Sequence, residues 1–198
     1  MIKSPIQKVS DILQSRAIGI IYGIYEPTDK NILNKGSIKD KNGISIDSVV
    51  LGRAIPIIRK YVDLKKNYFW VVYPRNNKSD YLHLQISGIW DPTNFNKNQE
   101  NNSKKPEELL KELDLKDNFF SIRGKLVFVN TQEKEIVVKI NPLNLTNSTK
   151  TSSFKVTLKG QIPMEFINHF VSIDALREGN SLCLDSFEVL SSISTKSN

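Results

Sequence analysis

The hydrophobic pattern of the chain changes period several times, and those changes mark out its elements. Ser4-Pro5, followed by Ile6, Val9, Ile12 and Leu13 at helical spacing, predicts a short N-terminal helix over residues 1–14. From Arg16 to Tyr25 the period drops to two, with Ile18, Ile20, Tyr22 and Ile24 alternating with Ala17, Gly19, Ile21, Gly23 and Tyr25. This is a strand, and Gly19 and Gly23 predict a bulge or sharp coil within it. Residues 35–38 and 44–51 flank Asn42-Gly43, a hairpin-turn signal. Gly52 to Val62 returns to helical spacing, with Ala54, Ile55, Ile58, Tyr61 and Val62 as an apolar stripe and Pro56 in the first turn. Tyr68–Tyr73 and Tyr81–Trp90 are two further strands, the latter with Leu82, Leu84 and Ile86 inward, joined by a polar loop.

Residues 93–105 are rich in Asn and Lys, cannot build a core and are expected to be mobile. A short helix over 106–115 completes the linker, residues 93–117, with Leu109, Leu110 and Leu113 on one side. Its Glu107, Glu108 and Glu112 read as a solvated helix face rather than as catalytic carboxylates. From Phe119 the first pattern restarts. Strands are predicted over 121–128, 135–140 and 154–158, then a helix over 163–170, then strands over 171–175 and 183–190. The two halves share an element order at a separation of about 100 residues, giving one unit over 15–92 and another over 118–192. Residues 193–198 are expected to be a disordered tail.

Five short strands, a helix between the third and fourth, and a glycine in a coiled first strand resemble the OB-fold. Gly19 and Gly23 in one half, and Gly124 in the other, sit where the long first strand must bend. The predicted class is therefore all-β with short helices, as two tandem five-stranded OB-fold-like β-barrels. An SH3-like barrel is the rival, and the inserted helix argues against it. The stretches Arg16-Ala17-Ile18-Gly19, Ile46-Asp47-Ser48-Val49-Val50-Leu51-Gly52-Arg53 and Phe69-Trp70-Val71-Val72-Tyr73-Pro74-Arg75 resemble a conserved family of cyanobacterial proteins. The Asn/Lys-rich composition fits a low-GC marine member. The resemblance covers mostly the first half and implies a localisation more than a function.

Composition narrows the classes further. Apolar residues make up 39% and charged residues 25%, as in soluble globular proteins, and no apolar run reaches the roughly 18–20 residues of a membrane span. The single Cys183, between Leu182 and Leu184, reads as inert strand packing in a reducing, cytoplasmic setting. Of the net charge of +7, residues 1–92 carry +6, from 14 Lys/Arg against 8 Asp/Glu. That excess favours polyanionic or acidic partners, although compositional drift in an A/T-rich genome also enriches lysine. His83, His169 and Cys183 show no zinc-ligand spacing, and neither a phosphate-binding glycine loop nor a G-x-S-x-G nucleophile motif occurs. No catalytic residue, cofactor or metal is expected.

The candidate contact surface is basic and aromatic and belongs to the first half. It comprises Arg16, Tyr25, Arg53, Tyr73, Arg75, Lys78, Tyr81 and His83, of which Tyr73 and Tyr81 also fit simple cross-strand packing. In the second half Arg123 and Lys125 share an outward strand face with few aromatics nearby, which suits a docking scaffold. Two function classes stay open. The principal expectation is a protein-interaction adaptor docking on a larger complex through its barrels. The alternative is single-stranded RNA or DNA binding by the first barrel alone, with bases stacked on rings and phosphates neutralised by cations.

Overall fold

The computed structural model describes residues 3–76, 81–91, 105–141 and 152–191. The chain divides into two compact units, one of Met1–Gln7, Gly19–Tyr73 and His83–Phe119, the other of Lys8–Ile18, Pro74–Leu82 and Phe120–Asn198. Among the described residues no helix is long and apolar enough to cross a membrane.

The first barrel, most of which belongs to the first unit, is built of β1 (Arg16–Asp29), β2 (Ile32–Asp40), β3 (Ser45–Val50), β4 (Tyr68–Asn76) and β5 (Leu82–Trp90). They close in the order β1–β2–β3–β5–β4–β1, with β3 and β5 parallel. Closure makes β1 serve two neighbours. It pairs with β4 over Gly19–Gly23 and with β2 from Gly23 onward, so Gly23 faces Tyr68 on one side and Asp40 on the other. A side chain at Gly23 would run into the Lys39 carbonyl, which is why this position has none. Inside lie Ile21, Tyr25, Ile38, Ile46, Trp70, Val72, Leu84 and Ile86, all essentially inaccessible. The two polar ring atoms in this core are satisfied: Trp70 Nε1 donates to Gly23 O (2.9 Å) and Tyr25 Oη donates to Leu33 O (2.9 Å).

A 3-10 turn, Gly52–Ala54, leads into helix α1 (Ile55–Tyr61), with Pro56 in its first turn. Of the apolar stripe expected here only Ala54 and Ile58 are buried, and Tyr61 is exposed. A seven-residue helix is under two turns long and offers the barrel one short face. The linker helix α2 (Pro106–Glu112) lies on the outside of this same barrel. Its Leu109 and Leu110 pack with Ile20, Phe69 and Trp90, which buries a second apolar layer beyond the interior. Beyond the helix, Asp117 Oδ1 accepts the Tyr22 N–H (2.8 Å) and fixes the exit of the segment.

In the second unit β6 (Phe119–Asn130), β7 (Glu135–Ile140), β8 (Phe154–Lys159), β9 (Phe170–Glu178) and β10 (Ser181–Ser191) close in the order β6–β7–β8–β10–β9–β6. Here β8 and β10 are parallel through the pair Lys159 and Cys183. Gly124 repeats the role of Gly23, since a side chain there would strike the Lys139 carbonyl.

Two predicted helices are absent. Within its described part the N-terminal segment forms bends and a turn over residues 3–15. Its polar side chains satisfy the local backbone instead: Ser4 Oγ accepts from Ile6 N (3.2 Å) and Asp11 Oδ1 from Leu13 N (2.7 Å). The helix expected over 163–170 shrinks to one 3-10 turn, Met164–Phe166. Asn168 takes a left-handed conformation (φ 74°), its N–H donates to Leu126 O (2.8 Å), and Leu126 N donates to His169 O (2.9 Å). The chain is captured by β6 before a second turn can form. The expected polar linker over 93–104 and tail over 193–198 lie outside the described residues.

Gly23→Ala and Gly124→Ala should each lower stability by about 1–3 kcal/mol through overpacking at the shared strand, seen as a lower urea midpoint with unchanged slope. An unchanged midpoint would show that the first and second strands of each barrel separate freely.

Candidate functional site

The described members of the expected contact surface divide three ways. Tyr25 is in the core. It is fully buried, its ring lies 5.7 Å from that of Trp70, and burial pushes its hydroxyl pKa up to about 12. Alternation along β1 leaves open which set of residues faces in, and Tyr25 belongs to the inward set.

Arg16 and Arg123 are engaged by neighbouring groups of the second unit. Arg16 Nε and Nη2 donate to Ser121 Oγ (3.1 and 2.9 Å). Burial lowers the Arg16 pKa, with Arg123 adding to the effect and Asp174 opposing it. Asp174 in turn is pushed up by burial and by Asp185. Arg123, expected on an outward face, is only 8% exposed. Its Nη1 donates to Ser172 Oγ (2.7 Å) and its Nη2 to Ile12 O (2.5 Å), with Nε at 3.4 Å from Gln14 O. It therefore clasps the irregular N-terminal segment within the second unit. Alternation alone places Arg123 on a face of β6 that another part of the chain covers.

The third group is accessible. In the first unit Arg53 Nη2 donates to Tyr73 Oη (3.1 Å), joining the 3-10 turn Gly52–Ala54 to β4. His83 is half-buried on β5. In the second unit the Arg75 guanidinium lies 3.7 Å from the centre of the Phe154 ring, a close cation–π stack, and Nη1 donates to Pro74 O (2.8 Å). The next residue, Asn76, accepts the Thr157 N–H of β8 through Oδ1 (3.0 Å). Tyr81 is 65% exposed. It lines a groove of about 310 Å³ together with Asn76, Thr157, Glu135, Lys159 and Asn180. Lys159 Nζ and Glu135 Oε2 form an ion pair of 3.0 Å on one wall. Lys78 lies outside the described residues, and Lys125 is half-exposed on β6.

Arg75, at the end of β4, thus stacks on Phe154 of β8, and Tyr81 shares a groove with Thr157 and Lys159 of the same strand. The partners missed by sequence reading are Phe154, Asn76 and Thr157. Phe154 was visible only as a strand residue, because a stack between positions 79 residues apart leaves no local signal. The groove offers an exposed aromatic ring, hydrogen-bonding groups at Asn76, Thr157 and Asn180, and apolar surface at Leu82, Leu158 and Leu182. A ring beside hydrogen-bonding and apolar surface is what a stacking platform requires.

Residues 17–97 match the model of a family described as the N-terminal OB-fold domain of the PatR RNA-binding protein. Residues 122–191 match a model described as a cyanobacterial OB-fold-like RNA-binding domain, C-terminal. The chain belongs to this cyanobacterial tandem OB-fold family. The first match begins within β1 and runs past β5, and the second begins within β6 and ends with β10, so each OB-fold model spans one set of five strands. No curated protein matches the chain.

Two outcomes check these placements in the OB-fold pair. Arg123→Ala should raise amide hydrogen exchange over residues 8–15, because the carbonyls of Ile12 and Gln14 lose their donor; protection unchanged there would contradict the clasp. For Tyr25, the folded-state pKa lies above the unfolded value, so the unfolded chain loses its proton first. Stability should fall as pH rises from near 10 towards about 12, by at most about 1.4 kcal/mol per pH unit. Tyr25→Phe should remove that part of the alkaline loss, and identical alkaline profiles for the two proteins would contradict it.

Proposed function

We propose that this protein binds single-stranded RNA, with Tyr81 and Arg75 at the contact. The observation that carries the reading is the exposed Tyr81 ring on a groove with mixed walls, polar at Asn76, Glu135, Thr157 and Lys159 and apolar at Leu82, Leu158 and Leu182; Asn76 follows directly on Arg75, which stacks on Phe154. A base stacked on such a ring is held by about 1–3 kcal/mol, largely without regard to sequence. The net charge of +7 supplies long-range attraction to phosphates and a steep dependence on salt. Both family descriptions name RNA, which supports the nucleic-acid alternative. The adaptor expectation receives no such support. A half-buried Cys183, whose thiol burial and Glu178 hold towards the neutral form, suits a protein working in the reducing cytoplasm.

Fluorescence anisotropy with a labelled single-stranded RNA tests the reading. Tyr81→Ala should weaken binding about 5- to 150-fold while leaving the melting temperature nearly unchanged, since the ring is mostly in solvent. Tyr81→Phe should retain most of the affinity. Arg75→Ala combined with Tyr81→Ala should weaken it further. Absence of binding by the wild-type chain, or equal binding by the double variant, would refute the proposal.

A further inference from the structure

Three lysines stand in one transverse line on the outer wall of the second barrel. Pairing sets Lys125 of β6 opposite Lys139 of β7, and Lys139 opposite Lys155 of β8. Adjacent strands lie about 4.8 Å apart, so the three backbone positions fall within about 10 Å. Like charges directly opposite one another cost stability. The next line on the same wall is Phe128, Val137 and Thr157; a register shift after Leu126 turns Phe128 outward, where it is 46% exposed. The line after that sets Glu135 opposite Lys159, and these two form an ion pair. Lys159 therefore has its counter-charge within the sheet. Among the described residues no carboxylate pairs with Lys125, Lys139 or Lys155.

We propose that this line of lysines, with Phe128 beside it, is a track for the phosphate backbone of single-stranded nucleic acid. The inference rests on the RNA-binding reading and extends it to a second surface. The two surfaces are continuous, because Thr157, Glu135 and Lys159 belong both to this wall and to the groove beside Tyr81. A strand leaving the groove over Thr157 meets Val137 and Phe128 and then the three cations. Phosphates there remove the repulsion that the uncomplexed sheet carries. The first barrel lacks the arrangement: at the matching positions Ile24 faces Lys39, and Lys39 faces Ser45. The net charge of the first half is the larger, but the concentrated row of cations is in the second.

The test is Lys125→Gln/Lys139→Gln/Lys155→Gln in the full chain, titrated with a uridine oligonucleotide over a range of salt concentrations. Three lost phosphate contacts should make the slope of log affinity against log salt shallower by about 2. Affinity at low salt should fall by about tenfold or more, and the melting temperature should stay level or rise as repulsion is removed. Lys139→Gln alone should give about a third of the slope change, which keeps the test open should the triple variant fold poorly. Phe128→Ala should reduce affinity without changing the slope. If the wild type binds and loss of Arg75 and Tyr81 weakens it, yet the triple variant keeps the wild-type slope, the track is refuted and the RNA-binding reading survives. That is also the result expected if the row serves an acidic protein surface. If the wild type does not bind at all, both fall together.

Discussion

The structure depends on one strand in each barrel having to serve two neighbours. In the first barrel the switch from β4 to β2 happens at Gly23, which pairs on both sides and whose carbonyl receives the Trp70 indole. Backbone comes so close there that no side chain fits. The rest of the core follows from that closure: Tyr25 is swung inward, and Ile20 and Tyr22 are left on the outer wall. An apolar outer wall in turn requires a cover, which α2 supplies through Leu109 and Leu110. Gly124 imposes the same geometry on the second barrel, but its outer wall is differently dressed, with lysines and Phe128 in place of an apolar patch.

Much of this was legible in the sequence because it is written in short-range periodicity. The strand order, the glycine in the first strand of each half, the Asn-Gly hairpin and the plug before β4 all follow from spacing within a dozen residues. Both faces of β1 are covered, which alternation cannot show. Ile20 and Ile21 are both buried, one under α2 and one in the barrel, so alternation does not reveal that Tyr25 faces inward. The missing helices have a related origin. Apolar residues at helical spacing over 6–13 and 163–170 lost to Ser4 and Asp11 bonding their own backbone, and to Leu126 capturing the chain at Asn168.

The candidate site was half legible. Arg75 and Tyr81 stand out as a cation and a ring flanking a polar loop, whatever the fold. Their neighbours do not, because Phe154, Thr157 and Lys159 lie on a strand about 80 residues later and meet them only through tertiary packing. Arg123 shows the opposite failure, a cation with every sequence sign of exposure that is spent on holding Ile12 and Gln14. Charge counted along the chain thus points to the first half, whereas charge placed by strand register accumulates on β6, β7 and β8. Register is the quantity that a composition count cannot contain.

The central claim is that single-stranded RNA lies against Tyr81. Its most direct test is photo-crosslinking of a uridine-rich single strand to the intact protein, followed by mapping of the modified peptides by mass spectrometry. The account predicts adducts on the peptide bearing Tyr81 and on the facing peptide of β8, lost when competing unlabelled RNA or high salt is added. Adducts confined to the plug helix, to α2 or to the wall beneath it, with none at Tyr81, would contradict it.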